Sequence, residues 1–234
     1  MNKEETIIIA DYRLPDEAIK KLTKEGKVIR FNAGNLTHPS IKGHPDLFFC
    51  KCGKQLIVAP NTPKEYIDLL KSKKINYTLG KEPTGKAHPD AARYNAVTIN
   101  DTLLHNLKVT ESKILSQYKE ERTVDLPQAY SRCSIIPLDE NTFITSDRGV
   151  EKALLKAGKE VLYVNPYPIT LPGLPWGFFG GCCGINNKKL YFSGSLRFLK
   201  EEKEIRNLCK EKGYEIVELF EGSPFDGGSI LFLS

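Results

Sequence analysis

The sequence lacks the segments that mark membrane-spanning or secreted proteins. No apolar run approaches the roughly 18 residues of a membrane-spanning helix, and the polar first five residues do not begin a signal peptide. We therefore expect a cytoplasmic protein with no membrane partner. In that compartment the six cysteines are expected to be reduced thiols rather than a disulfide framework.

The sequence also lacks a strong charge imbalance and the common nucleotide-binding motifs. Its 34 Lys and Arg residues face 29 Asp and Glu residues, and the lysines are scattered through alternating-sign segments such as residues 200–204. This pattern is typical of a solvated face rather than a nucleic-acid footprint. Neither G-x-G-x-x-G nor a phosphate-binding loop follows a predicted strand, which disfavours a nucleotide-binding α/β protein. We predict no nucleic-acid partner and no cofactor.

The chain does contain a weak internal repeat of strand, tight turn, strand, helix and strand. A length of 234 residues suits one large domain or two small ones, and the repeat favours a single domain over residues 1–234. In the clearest copy the turn 139–141 separates two apolar strands, Ser146 or Asp147 caps a helix, and Gly158 ends it. The first strands of the four copies are predicted at residues 47–52, 95–99, 134–138 and 182–185.

The two chain ends supply the parts of a fifth copy. Residues 229–233 are predicted to form one strand, and the N-terminal segment adds strand 6–9, helix 15–24 and strand 28–31. Joined, they would close a ring with pseudo-fivefold symmetry and no open sheet edge. The alternative is an ordinary α/β sheet with crossover helices.

This order of five ββαβ units resembles the pentein superfamily of α/β propellers, which includes arginine and agmatine deiminases, amidinotransferases and dimethylarginine dimethylaminohydrolases. The resemblance spans nearly the whole chain and depends on the unit order and two short motifs. It implies a five-bladed α/β propeller whose first strands line a central channel, with ligands at the channel mouth. The openings of those strands are residues 44–46, 93–95, 132–134, 180–184 and 226–228.

Two of these openings carry the motifs of the resemblance. His44 and Asp46, two residues apart, would lie on one face of a strand, where they could share a substrate proton and bind a cation. They resemble the family's H-x-D motif, which implies an acid/base role for His44 and guanidinium binding by Asp46. The stretch from Asp226 to Gly228 resembles the family's second guanidinium-binding acid, a role it assigns to Asp226. For each, a plain structural role remains open.

A cysteine nucleophile is harder to place. The family's hydrolases carry it in a Gly-rich stretch near the C-terminus, but here residues 227–231 contain no cysteine. If the turn Gly53-Lys54 is superposed on Asn186-Asn187, Cys183 falls on the same strand face as His44 and Asp46. A one-residue change of register would place Cys182 on that face instead. We therefore predict Cys182 or Cys183 as nucleophile, with Cys133 as the third choice. The alternative for each is a small buried apolar residue, which is the usual role of a free cysteine.

The remaining openings offer Arg132, Arg93 and Asn95. A guanidinium facing the channel could bind a ligand carboxylate in bidentate fashion, or pair directly with an aspartate. Arg132 and Asn95 are assigned to substrate binding.

The cysteine spacings do not fit standard zinc sites, so no metal is predicted. The loop from residue 80, with His88, and the Pro-rich segment 165–177 are candidate lids.

Two functions follow from these residues. The first is an amidino- or guanidino-modifying enzyme, a C–N hydrolase or amidinotransferase, that uses Cys, His and Asp on a small cationic or zwitterionic substrate. The second is a pentein that binds a small ligand or a protein partner without catalysis, which the missing C-terminal cysteine favours. Substrate and oligomeric state stay open at this point.

Overall fold

The computed structural model describes residues 5–233, which form five three-stranded sheets. The strands are β1 (Ile7–Asp11), β2 (Lys27–Phe31), β3 (Phe49–Cys52), β4 (Gln55–Val58), β5 (Tyr77–Leu79), β6 (Val97–Ile99), β7 (Thr102–His105), β8 (Thr123–Asp125), β9 (Ile135–Pro137), β10 (Thr142–Thr145), β11 (Glu160–Tyr163), β12 (Cys183–Asn186), β13 (Lys189–Phe192), β14 (Glu215–Glu218) and β15 (Leu231–Leu233). The helices are α1 (Asp16–Leu22), α2 (Lys64–Ser72), α3 (Ser112–Leu115), α4 (Ser131–Ser134), α5 (Arg148–Lys156) and α6 (Glu202–Glu211).

Each sheet repeats one pattern. A first strand pairs antiparallel with the middle strand through a hairpin, and the middle strand pairs parallel with the third. A parallel pair needs a crossover connection, and a helix lies in each of these connections. The predicted ββαβ order is therefore present in the four complete units.

The fifth sheet combines the two ends of the chain. Strand β15 pairs antiparallel with β1, with Ile8 opposite Phe232, and β1 pairs parallel with β2 across α1. This sheet buries its apolar side chains against the neighbouring units, since Ile8 and Ile9 are fully buried. The N- and C-terminal segments thus complete one unit together, as the sequence predicts.

The local signals of the sequence explain most element ends. Asp147 caps α5 by accepting a hydrogen bond from the backbone N–H of Val150 at 2.9 Å, and Gly158 follows the helix at a φ of +74°. The sequence of the second unit predicts Thr110 as the helix cap, but the cap is Glu111, which accepts from the N–H of Ile114. The Thr110 hydroxyl instead bonds His105 and donates to the carbonyl oxygen of Asn106.

The last predicted helix is divided in two. The sequence predicts one continuous helix over residues 196–212, but a short 3₁₀ helix, Leu196–Phe198, precedes α6. The carboxylate of Glu218 accepts hydrogen bonds from the N–H of Leu196 and the hydroxyl of Ser195, which fixes this turn against β14. A tertiary contact therefore overrides the helical periodicity here.

First strands of all five units face a common interior. Side chains from β3, β6, β9, β12 and β15 line one cavity of about 330 Å³. None of the helices in the described part of the chain is long and apolar enough to cross a membrane.

Candidate functional site

The candidate site lies on helical turns that come directly before the first strands. His44 precedes the 3₁₀ helix Pro45–Leu47 ahead of β3, and α4 carries Cys133 immediately ahead of β9. The expectation that His44 and Asp46 share one face of a strand is therefore wrong, because the proline between them starts a 3₁₀ turn and pairing begins only at Phe49. A 3₁₀ turn still brings both side chains to the same buried cluster.

Cys133 is the centre of that cluster. Its Sγ lies 3.3 Å from Oδ2 of Asp46 and 3.9 Å from Nδ1 of His44. Asn95 holds it from the neighbouring unit: the side-chain amide donates to the Cys133 sulfur at 3.3 Å, and its oxygen accepts from the Cys133 backbone N–H at 3.1 Å. A thiol, an imidazole and a carboxylate are thus brought within contact of one another.

Asp226 lies on the other side of the His44 ring. Its Oδ1 is 3.7 Å from His44 Nε2, too long for a good hydrogen bond. The carboxylate is fixed instead by two backbone donors, the N–H of Phe178 at 2.8 Å and that of Gly228 at 3.0 Å. A Cβ at Gly181 would lie 1.9 Å from Oδ1, so a glycine is required there for the carboxylate to approach the turn.

Two residues of the cluster escaped the sequence analysis. The hydroxyl of Ser229 donates to Asp46 Oδ2 at 2.7 Å, and Phe178 supplies the backbone donor to Asp226. The sequence signal for Ser229 is its position directly after the Gly-Gly pair, in the stretch where the resemblance implies a cysteine. No side-chain signal could reveal Phe178, because it contributes a backbone group.

Burial controls the charge state of the cluster. It raises the pKa of Asp226 to about 7 and that of Asp46 to about 6, and it lowers the pKa of His44 to about 3. Burial and the two carboxylates also raise the pKa of the Cys133 thiol well above its usual value. The ligand-free cluster therefore holds a thiol, a neutral imidazole and two carboxyl groups that are partly protonated at neutral pH.

Two buried polar atoms of the cluster lack a hydrogen-bond partner within residues 5–233. Among the described residues, His44 Nε2 and Asp46 Oδ1 have no hydrogen-bond partner although both are buried. Buried polar atoms without partners are costly. They are the positions at which a ligand donor would be favoured.

Cys182 and Cys183 lie elsewhere in the interior. Both are fully buried in an apolar cluster, and their thiols donate to the carbonyl oxygens of Phe178 at 3.4 Å and Phe179 at 3.2 Å. Within residues 5–233, neither thiol makes a hydrogen bond to His44. The structure therefore brings His44 together with Cys133, the third choice of the sequence analysis, and not with the two cysteines ranked above it.

The two arginines have different surroundings. The Arg132 guanidinium donates to the carbonyl oxygens of Gly180, Cys183 and Ile135 at 3.2 to 3.4 Å. It lines the 330 Å³ cavity, whereas Cys133 lines a different one. Arg93 pairs with exposed Asp90.

A second cavity of about 280 Å³ opens beside the cluster, and we call it the loop-side cavity. His44, Cys133 and Asp226 form its polar end, while its walls are mostly apolar. Both candidate lids contribute to it. The loop from residue 80 supplies Lys86, Ala87 and His88, and segment 165–177 supplies Leu171 and Leu174.

The cluster also contains the donor types of a transition-metal site. The sulfur of Cys133, an imidazole nitrogen of His44 and a carboxylate oxygen of Asp46 all lie within 4.8 Å of one another. In the described part of the chain this is the one group of at least three such residues. A chelator is therefore needed as a control in any assay of this site.

Gly228 provides a direct test of how closely the cluster is packed. It has a φ of +67°, and an added Cβ would lie 2.2 Å from the Cβ of His44. We expect Gly228→Ala to lower the free energy of unfolding by about 3 kcal/mol or more, because strain and overpacking add. Gly213, with a φ of +73° and no atom within 4 Å of such a Cβ, is the matched control, and Gly213→Ala should cost only about 1 kcal/mol. Urea unfolding measures both, and equal losses would contradict the close contact with His44.

Comparisons with known proteins agree with this architecture. SxtG, an amidinotransferase of the saxitoxin biosynthetic pathway from Microseira wollei, is 16% identical, with a TM-score of 0.55 over 97% of this chain and 93% of that one. DDAH from Pseudomonas aeruginosa, solved as a variant in complex with citrulline, is 10% identical, with a TM-score of 0.53 over 92% of each chain. These similarities confirm the predicted pentein-type α/β fold. No curated protein matches the chain in sequence.

A protein family matches nearly the whole chain, over residues 9–231. Its span includes every residue of the cluster around Cys133 and both loops of the loop-side cavity. The chain therefore belongs to DUF6873, a family of unknown function, and has the fold of the penteins.

Proposed function

We propose that this protein modifies the amidino or guanidino group of a small cationic substrate, with Cys133 as nucleophile and His44 as proton carrier. Asp46 and Asp226 bind the substrate cation, and Asn95 positions the thiol. The fold similarity to an amidinotransferase and to DDAH supports this class of chemistry. The proposal includes a closed ring of the five units, since side chains from all five first strands line one cavity.

The observation that carries the proposal is the missing positive charge. Asp46 and Asp226 are buried, with 4% and 1% exposure, and within residues 5–233 the only basic group within 4 Å of either is His44, whose low pKa keeps it neutral. Two buried carboxyl groups without a cation in contact are unfavourable, and the nearby arginines do not fill this place: Arg132 acts on Asp46 from beyond 4 Å, and Arg13 is paired with Asp11. A planar guanidinium would supply the charge, donate to Asp46 Oδ1 and present its carbon to the thiol.

Cys133 is preferred as nucleophile because of its neighbours. Among the cysteines of the described chain, its sulfur alone touches both an imidazole and a carboxylate. Nucleophile and base within contact of each other are the usual signature of covalent catalysis. Cys182 and Cys183 donate only to backbone carbonyl groups and lie among apolar side chains.

The substrate itself activates the thiol in this proposal. Burial contributes most to the raised pKa of Cys133 and the two carboxylates add to it; a cation between them offsets their part, and the thiol proton passes to Nδ1 of His44. The thiolate forms a bond to the guanidinium carbon, and the C–N bond to the leaving amine breaks as His44 returns the proton to that nitrogen. Water or an acceptor amine then displaces the sulfur and regenerates the thiol.

A pair of alkylating agents tests the proposal. Chloroacetamidine is a small cation, and chloroacetamide is its neutral counterpart. With chelator present, we expect Cys133 to react with the cationic reagent at least about tenfold faster, because Asp46 and Asp226 concentrate the cation beside the thiol. Peptide mass spectrometry identifies the alkylated cysteine and gives the rate.

Variants separate this explanation from simple accessibility. Asp226→Asn should remove most of the preference for the cation while leaving the neutral reagent's rate within about threefold. Asp125→Asn, at an exposed carboxylate of β8, is the matched control. Equal rates for the two reagents in the unmodified protein, or preferential labelling of Cys182 or Cys183, would overturn the assignment.

Binding without catalysis is the second candidate function, and one observation favours it. Ser229 lies in the Gly-rich stretch where the resemblance to penteins implies a cysteine. Its hydroxyl donates to Asp46, which leaves the cation-binding carboxylates in place. A guanidinium ligand that binds but yields no product over many hours would support this function.

A further inference from the structure

The 330 Å³ cavity lies on the far side of the cluster from the loop-side cavity, and we call it the hairpin-side cavity. Hairpin-turn residues Gly53 and Asn100 are part of its lining, and Asp46 and Ser229 lie at its inner end. Asp46 lines the hairpin-side cavity and Cys133 lines the loop-side cavity, and the two residues are in contact at 3.3 Å. His44, Cys133 and Asp226 line only the loop-side cavity, so Asp46 is the one residue of the proposed reaction that the hairpin-side cavity shares.

The walls of this cavity include a continuous set of aliphatic residues beside its polar groups. These residues come from four of the first strands and are Val97, Ile99, Ile136, Ile185 and Leu231. Such walls favour an alkyl chain or an aromatic ring over a strongly hydrated ligand.

The charged groups of the cavity are mainly cationic. Its lining contains Arg132 and Lys51 and a single carboxyl group, Asp46. Within residues 5–233, neither cation has a carboxylate within 4.0 Å: Arg132 donates only to carbonyl oxygens, and Lys51 donates to the carbonyl oxygen of Phe232 at 3.4 Å. Asp46 already accepts from Ser229 and Cys133.

The Arg132 bonds are long, at 3.2 to 3.4 Å, and use two of its three nitrogen atoms. A guanidinium pairs most strongly with a planar anion through two parallel hydrogen bonds. Arg132 is partly exposed and lies in the lining of the cavity, so it can accept such a partner.

We propose that the hairpin-side cavity binds a small amphiphilic monocarboxylate, with its carboxylate on Arg132 and its alkyl or aryl part against the aliphatic walls. The site shares only Asp46 with that of the cationic substrate. It needs no chemistry at Cys133, so it holds whether or not the protein is an enzyme.

Calorimetric titration of the full chain with butanoate, hexanoate and octanoate tests this site. Affinity should increase about fourfold for each added methylene until the cavity is filled, because each methylene leaves water. Octan-1-ol lacks the carboxylate and inorganic phosphate lacks the chain, so each should bind at least about tenfold more weakly than octanoate. Equal binding of octanol and octanoate would overturn the proposal.

Two variants locate the binding. Arg132→Met keeps the side-chain length without the charge and should weaken octanoate at least about tenfold while leaving octanol unchanged. Arg206→Met, at a surface arginine paired with Glu202 and Glu218, is the matched control. Because Arg132 also supports the fold, Ile185→Trp provides an independent test: it should fill the cavity and abolish octanoate binding. Octanoate binding unchanged in a folded Ile185→Trp protein would refute the site.

Discussion

Replacing Cys133 with serine is expected to lower turnover of a guanidino substrate by at least about 10³-fold. The hydroxyl keeps the size of the thiol and its contacts with Asn95, but it is a far poorer nucleophile beside a neutral imidazole. Release of amine or of the ureido product, followed by mass spectrometry over a panel of alkylguanidines and amidines, measures the change.

Matched cysteine variants make this result specific. Cys182→Ser and Cys183→Ser should retain turnover within about tenfold, since each thiol contacts backbone carbonyl groups and apolar side chains. Thermal unfolding of all three variants checks that the fold is intact. Full activity in a folded Cys133→Ser protein would contradict the assignment, and loss of activity only in Cys183→Ser would return the nucleophile to the sequence-based first choice.

Binding of a guanidinium ligand is expected to tighten by about 10² to 10³ between pH 5 and pH 8. The carboxyl groups of Asp46 and Asp226, with pKa values of about 6 and 7, are protonated in the ligand-free protein at pH 5. A cation favours their ionised forms, so binding releases protons at low pH and the affinity rises until both groups are ionised. Above about pH 8 the affinity should be constant.

Calorimetry with butylguanidine in buffers of different ionisation enthalpy measures both the affinity and the number of protons released. Asp226→Asn should weaken binding at pH 8 and move the remaining pH dependence to the lower range of Asp46. His44 does not contribute in this range, because its pKa of about 3 keeps it neutral throughout. An affinity independent of pH would show that the carboxyl groups do not bind the cation.

Local sequence signals were reliable wherever neighbouring residues decide the structure. The turn at residues 139–141, the cap at Asp147 and the glycine at 158 all act within a few residues, and each marks an element end that the structure contains. The repeat of these signals was sufficient to predict five ββαβ units and the pairing of the two chain ends. The same local reasoning failed at residues 196–198, where the distant Glu218 fixes the turn.

Much of the candidate site could also be predicted from the sequence. Charged and polar residues at the start of apolar strands are costly to bury without a partner, so they indicate a binding site or an ion pair. His44, Asp46, Asn95 and Asp226 were named on that ground, and the structure brings all four into one cluster. The choice among the cysteines was not visible. Its prediction assumed that the cysteines lie in extended strands, where alternate side chains point to opposite faces. Cys133 and Cys182 instead lie on short helical turns before the strands, so that rule does not give the direction of their side chains.

The sequence by itself determined the number and order of the units, since hydrophobic periodicity, caps and turn residues are properties of short segments. Only the tertiary structure decided which thiol meets the imidazole, that Ser229 bonds Asp46, and that the cluster separates two cavities. These facts join residues up to 183 positions apart in the chain. Contacts of that kind depend on how whole units pack, and burial in that packing also sets the pKa values on which the proposed chemistry depends.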